Sequence, residues 1–420
     1  MSQKPEYNFD VIVIGGGASG MMAAGRCAEL NKKVLLIEKN RELGKKLKIT
    51  GGGRCNITNA EYDTRVLLKN YGAAEQFLYS PFAQFGVKES FDFFEKRGLP
   101  LVIQARKRAF PQTEKALDVF RVLEKNLKNG RITIKTNSPV TKILKNGNKI
   151  TGIKVAGEKK EIYTAHSYIL ATGGASHPET GSTGDGFNWL RDLGHNVKSP
   201  TEAIVPLSVE DAWIKSLSGI SIPCMKITFY VDGVKKFSKT GKLLFTHFGL
   251  SGPLILNCAQ KVGDLLHTGS VTAKIDIFPD LDESKLEKKI LKVFDENKNK
   301  MFKNILGEIV PDGTTKAILS LLKNAKSPDT KVHSVTKETR KNLIATLKAL
   351  PASITGLMGF DRAVIADGGV DLAEIDMKTM RSKIFENLFI TGDLLHIQRQ
   401  SGGFSLQICW TTGYIAGSNA

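Results

Sequence analysis

Four glycines and one carboxylate near the start of the chain have the spacing needed to hold a dinucleotide. Gly15, Gly16, Gly17 and Gly20, with Ala18 and Ser19 among them, follow a branched apolar run at 11–14. Glu38 stands 18 residues beyond Gly20, at the end of a second apolar run at 34–37. Without side chains at Gly15 and Gly17 the backbone can approach a pyrophosphate, and Gly20 lets a helix pack against the strand. The first N–H groups of that helix direct a partial positive charge at the phosphates. Glu38 can accept hydrogen bonds from a ribose, and an acid there disfavours a 2′-phosphate. A glycine-rich turn in an ordinary α/β domain is the bland alternative. It gives no reason for strand, helix and acid to fall in register.

A second stretch with the makings of a ligand loop follows at 41–59, rich in glycine, bases and small polar residues. Gly51, Gly52 and Gly53 let the backbone fold tightly, Arg54 adds a fixed cation, and Thr50 and Asn56 offer side-chain hydrogen bonds. Lys46, in the basic run at 45–48, joins this set. Cys55 reads as a packed thiol, because no base or second cysteine adjoins it. Late in the chain an apolar strand ends in Gly392 and Asp393. The pair Gly402–Gly403 then precedes Phe404 at the head of a helix whose dipole could stabilise negative charge.

These segments resemble, nearly end to end, a family of bacterial flavoproteins described as NAD(P)/FAD-dependent oxidoreductases. The likeness rests on GGGASG, ITGGGRCNITN, GSTGDG, LFTHFGLSGP and SGGFSLQ. Family members have been assigned aminoacetone oxidase or bile-acid reductase activity. The resemblance implies an α/β fold: a glutathione-reductase-type, Rossmann-like FAD domain interrupted by a β-barrel domain and a small helical domain. It implies FAD with adenosine near Glu38, Lys39 and Val140, and the turn Thr172–Gly173 over the nucleotide. It places Asp393 on the ribityl or pyrophosphate hydroxyls, Gly368–Gly369 in a turn near the flavin, and the flavin against the 50–56 loop and the 402–404 turn. No catalytic acid or base stands out; Arg54, His247, His396 and Arg399 are the candidates. HIQRQ at 396–400 departs from the family, which carries an acidic pair and a glycine there. The added donors and positive charge favour an anionic or carbonyl-bearing substrate.

The elements that must position these residues are legible in outline. Aromatics in the helical stretch 60–100 (Phe82, Phe85, Phe91, Phe93, Phe94) form a core stripe. Thr113 is the expected N-cap of a helix ending near Gly130. Arg108 is read as facing the cleft or a surface ion pair. Period-two segments fill 132–171, with the turn signal KNGNK at 145–149. Asp185 reads first as a helix cap, and His177 and His195 as ordinary hydrogen-bonded histidines. Expected boundaries put the FAD domain at 1–198 and 351–420. An antiparallel barrel or sandwich takes 199–281, with a return segment near 350–360, and helices take 282–350, including a stretch at 313–325.

Composition narrows the partners. With 41% hydrophobic and 24% charged residues the chain is ordinary for a globular protein. The five scattered cysteines include no CxxC pair, which argues against a disulfide scaffold or a metal site. Neither a bilayer-length apolar run nor a leader pattern is present, so a cytoplasmic protein without a membrane is expected. The +18 charge is spread along lysine-rich helices, and nucleic acid is not expected as a partner. A second GxGxxG is absent, so NAD(P)H is at most a transient visitor, and O2 is an alternative oxidant. The expected function is hydride exchange between a small molecule and flavin. The rivals are an RNA-modifying flavoprotein and a non-catalytic FAD-binding interaction protein. Substrate, reaction direction and oligomeric state are not legible.

Overall fold

The structure, a computed structural model, describes residues 8–128, 130–157, 161–322 and 329–420. The polar lead before residue 8, the tail of the helix expected at 313–325 and the Ser327–Pro328 break lie outside the described residues. Two compact units emerge, one from 1–202 with 364–420 and the other from 203–363.

The first unit is built on the opening glycine motif. Strand β1 (Phe9–Ile14), helix α1 (Ala18–Glu29) and strand β2 (Val34–Ile37) form the βαβ unit. β3 (Ile132–Lys135) and β4 (Ala165–Leu170) extend the sheet, and helix α2 (Asp185–Leu193) follows. Every residue from Val11 to Ile14 and from Val34 to Ile37 is buried, as continuous branched runs in a covered parallel sheet require. The expected meander forms a separate three-stranded sheet, Val140–Asn146, Lys149–Val155 and Glu161–Tyr163, with its tight turn at Gly147. All five phenylalanines of the 60–100 stripe are buried.

The second unit holds a closed barrel of six strands. They are β5 (Leu207–Val209), β6 (Ser221–Val231), β7 (Val234–Thr246), β8 (Gly249–Ser251), β9 (Val271–Asp276) and β10 (Leu350–Leu357), joined in the order β5-β8-β7-β6-β9-β10. Inward residues such as Ile227, Phe229 and Ile275 share one continuous apolar core with the helices Glu283–Glu296 and Lys337–Lys348.

The chain then returns to the first unit with β11 (Ile365–Val370), β12 (Leu388–Ile390) and helix α3 (Phe404–Asn419). The main sheet is parallel, in the order β12-β4-β1-β2-β3. α3 packs along α1 and is buried almost all round, which explains why its apolar residues show no helical stripe.

Three local expectations are corrected. Thr113 caps nothing; its hydroxyl donates to Asp118 at 2.7 Å, and the helix runs from Ala116 to Asn126. Gly368–Gly369 is not a turn but part of buried strand β11, pressed between the backbones of 198–200 and 394–396. Asp185 is the first residue of α2 behind Gly184, and its carboxylate pairs with Lys39 at 2.7 Å instead of capping the helix.

Candidate cofactor-binding site

A cleft in the first unit runs over the end of the parallel sheet, where α/β folds bind nucleotides. It has two adjoining chambers of about 920 and 410 Å³, which share Gly15, Glu38, Thr172 and Gly181 in their walls. The smaller chamber is also lined by Lys39, Ser138, Val140, Asp185 and Trp189. The larger passes Gly17, Ala18, Ser19, Lys46, Thr50, Gly173, Gly392 and Asp393, and reaches Ser405 and Cys409 on α3. Segments from both ends of the chain thus meet along one elongated space.

The glycines divide by what they touch. A Cβ on Gly20 would lie 1.8 Å from the Gly15 carbonyl oxygen, so helix and turn can pack this closely only without one. A Cβ on Gly17 would meet nothing within 4 Å, which leaves the head of α1 open to the cleft. Beside it the hydroxyl of Ser19 is buried and has no hydrogen-bond partner, and the same holds for Thr172. A backbone cradle with unpaired N–H groups and two orphaned hydroxyls in its wall suits an elongated polyoxygen ligand such as a dinucleotide diphosphate.

Glu38 is buried and already holds the turn together. One oxygen accepts from Gly16 N at 2.7 Å, and the other from the backbone and side-chain nitrogens of Asn40, both at 2.8 Å. The oxygen bonded to Gly16 N keeps a second lone pair, which leaves acceptor capacity for a ribose. Lys39 donates to Thr183 and Asp185 at 2.5 and 2.7 Å, fastening the 181–185 loop across the smaller chamber. The lysine holds the Asp185 carboxyl below the usual range against the opposing effect of burial.

Lys46 donates to Ser176 Oγ at 2.6 Å and lies 3.9 Å from Asp393. Burial pulls its ammonium below the ordinary lysine value, while Asp393 pushes it back up. Asp393 is in turn bonded to Arg399, whose guanidinium also donates to Ser405 Oγ at 3.1 Å and to the Ile397 carbonyl at 2.6 Å.

Several expected residues stand back from the cleft. Gly52 and Gly53 are exposed, and Arg54 stacks on Phe110 at 4.3 Å while donating to Gln104 and Glu114. Cys55 is fully buried, and desolvation pushes its thiol up to about 12, the packed thiol the sequence suggested. Asn56, with its amide oriented to satisfy its neighbours, accepts from Gly403 N at 3.0 Å. Gly402 and Gly403 serve packing, since a Cβ on Gly403 would lie 2.3 Å from the backbone carbon of Thr58. Phe404 packs edge-on against Tyr71, at 5.7 Å.

Of the catalytic candidates, His396 Nε2 lies 3.5 Å from buried Asp367, and Arg399 turns inward. His247 is exposed in the turn between β7 and β8 of the barrel. His195 is buried between Glu374 and Ser382, and His177 bonds Glu179, so both are ordinary hydrogen-bonded histidines. Arg108 lies on the middle strand of a three-stranded sheet, opposite Asn59 and Gln104, and burial lowers its guanidinium pKa.

Sequence reasoning missed Gln407. Its amide joins Thr58, Ser90, Gly86 and Thr411 in one buried network that fixes α3 against the strand Thr58–Asn59. A long amide side chain within the run LQICW of α3 was the available signal.

Residues 9–419 match the family described as HI0933-like protein Rossmann domain. The chain belongs to the HI0933-like family. This is the flavoprotein oxidoreductase family its motifs resemble. The family includes similar chains of nearly equal length with different names. The 3-dehydro-bile acid delta(4,6)-reductase of Clostridium scindens is 28% identical over 412 residues, 97% of this chain and 98% of the relative. The ribosomal RNA dihydrouridine synthase of Escherichia coli is 26% identical over 413 residues, 97% and 96% of the two chains. Among solved structures, a 3-ketosteroid delta1-dehydrogenase from Sterolibacterium denitrificans shares the fold at a TM-score of 0.55. It covers 97% of this chain and 98% of its own at 14% identity. Among the described residues no helix is long and apolar enough to cross a membrane.

Proposed function

We propose that this HI0933-like protein is an FAD-dependent reductase that saturates a carbon–carbon double bond conjugated to a carbonyl in a small molecule. The observation that carries the cofactor part is the two-chambered cleft, which joins Gly17, Glu38 and Asp393 along one elongated wall. The reaction class is supported by what the names of the two relatives share. A delta(4,6)-reductase acting on a 3-oxo bile acid and a dihydrouridine synthase both remove a double bond placed next to a carbonyl.

In this reading the smaller chamber takes the adenosine, with Glu38 as acceptor for its ribose. Gly15 to Ser19 take the diphosphate, and the flavin lies toward Ser405 and Cys409 on α3. The bound cofactor supplies hydride chemistry at its ring; the chain supplies binding, orientation and charge. Ser19 and Thr172 give the cofactor oxygens the partners those hydroxyls lack. Asp393 Oδ2 faces Lys46 and is the acceptor for sugar-chain hydroxyls. The N-terminus of α3 directs its dipole toward the added negative charge of reduction. NAD(P)H is the proposed source of electrons, visiting without a domain of its own.

The purified chain should be yellow, and anaerobic NADH or NADPH should bleach it slowly until an enone such as a 3-oxo-4-ene steroid restores the colour. A colourless chain that takes up no FAD would end the reading.

A second reading has a specific observation behind it. The outer face of the barrel carries Lys226, Lys235 and Lys274 without ion-pair partners among the described residues. The partly exposed Tyr230 lies among them, under the Lys274 ammonium at 5.3 Å. Cations around an aromatic suit RNA. On that reading the reduced double bond belongs to a uracil, and unmodified ribosomal RNA replaces the enone in the same test.

A further inference from the structure

Three buried or half-buried charges that do not cancel meet at the wall of the larger chamber, with Lys46 and Asp393 lining it, as Glu38 and Lys45 also do, and Arg399 behind them. Asp393 is the single carboxylate between two cations: Arg399, whose side chain is 2% exposed, and Lys46. Isolated charges do not stay buried without compensation, and an unbalanced cation is tolerated only where an anion meets it. The cluster lies against the head of α1, because a Cβ on Gly392 would come within 3.3 Å of Ser19 Cβ. Asp393 is therefore an anion placed next to a cradle for anions.

Arg399 resolves that conflict. Its guanidinium is committed to Asp393 Oδ1, Ser405 Oγ and the Ile397 carbonyl, so it is held rigidly, and it does not itself line the cleft. Two of its three partners, Asp393 and Ser405, do line it.

We propose that Arg399 is a positioning residue that neutralises Asp393 and leaves Lys46 as the uncompensated cation meeting the cofactor diphosphate. Asp393 can then offer its second oxygen to hydroxyl groups without repelling the phosphates. When Arg399 is removed, Asp393 takes Lys46 as its sole partner, and the net charge of the cluster falls from +1 to 0. The inference rests on the FAD reading above and adds to it a residue that touches no cofactor atom.

The test is titration of the flavin-stripped full-length chain with FAD and, separately, with riboflavin, which lacks phosphate. Arg399→Gln should weaken FAD binding about tenfold or more and leave riboflavin binding within twofold. The double variant Asp393→Asn with Arg399→Gln restores the +1 charge and should recover most of the FAD affinity. A merely structural role for Arg399 would lower both affinities and give no recovery. Equal FAD affinity in wild type and Arg399→Gln, or an equal loss for FAD and riboflavin, overturns the inference. A wild-type chain that binds no FAD removes the underlying reading instead, so the two failures are distinguishable.

Discussion

At the residue scale, the phosphate cradle separates two demands that a glycine motif usually hides. Gly20 is needed by the fold and Gly17, on the proposed reading, by the ligand, because a methyl group at the first meets backbone and at the second meets nothing within 4 Å. Gly20→Ala forces α1 away from the turn, and overpacking of this kind costs about 1–3 kcal/mol or more. Gly17→Ala keeps an extended backbone at φ −81° that any residue adopts, so its cost is that of a poorer N-cap, about 1 kcal/mol or less. Thermal melts of the flavin-free chains should therefore show a marked fall for Gly20→Ala and little change for Gly17→Ala. FAD titration should show at least a tenfold loss for Gly17→Ala. Comparable melting losses for both would mean that the open face of Gly17 has no bearing on a ligand.

His195 gives a pH-dependent counterpart. Burial holds its imidazole below the ordinary value of 6.5, against the opposing pull of Glu374. The unfolded chain then binds a proton near pH 6.5 that the folded chain does not. This contribution is complete above that pH, declines as the pH falls through it, and is fully lost at the depressed folded value. Denaturation midpoints should fall between pH 7 and 5, and His195→Gln should flatten that part of the profile. An unchanged slope in the variant would show that His195 is not the group responsible.

At the element scale, helix α3 is held by chemistry that hydrophobic patterning does not report. Gln407 bonds Thr58, Ser90, Gly86 and Thr411 at once, in a place closed to bulk solvent. Gln407→Leu keeps the volume but takes away the main partner of the Thr58 hydroxyl, while Ser90, Gly86 and Thr411 keep others, at a cost of about 1–3 kcal/mol for the buried group left unsatisfied. Urea denaturation should show a lower midpoint with an unchanged slope, and FAD affinity should drop because Ser405 and Cys409 ride on the same helix. If the variant is as stable as wild type, water or a neighbour has repaired the network.

The same contrast explains what was legible in the sequence. β1, α1 and β2 announce themselves because two buried strands and a glycine turn leave a local pattern at close spacing. The closed barrel was legible as alternation but not as closure, which depends on the non-local pairing of β5 with β10. The cleft-lining segments around Glu38, Lys46 and Asp393 could be named because glycine and charge mark them. The inward turn of Arg399, the Lys39–Asp185 fastening and the retreat of Arg54 to Gln104 and Glu114 could not. Each is a side-chain choice among partners distant in sequence, and no local spacing encodes it.

At the scale of the whole molecule, the +18 charge bears on which substrate the cleft serves. A polycation binds any RNA at low salt through counterion release, and that binding collapses steeply as salt rises. Attraction alone therefore favours neither a small enone nor a uracil in RNA; selectivity at physiological salt does. For a small-molecule reductase, affinity for ribosomal RNA should match that for an unrelated RNA of equal length. Both should fall by orders of magnitude between 50 and 200 mM salt. Charge reversal at Lys226 and Lys274 should weaken both RNAs alike and leave turnover of the enone unchanged. Retained preference for ribosomal RNA at the higher salt, lost with those two lysines, would make the barrel face a selective RNA-binding surface. The uracil reading would then displace the small-molecule one.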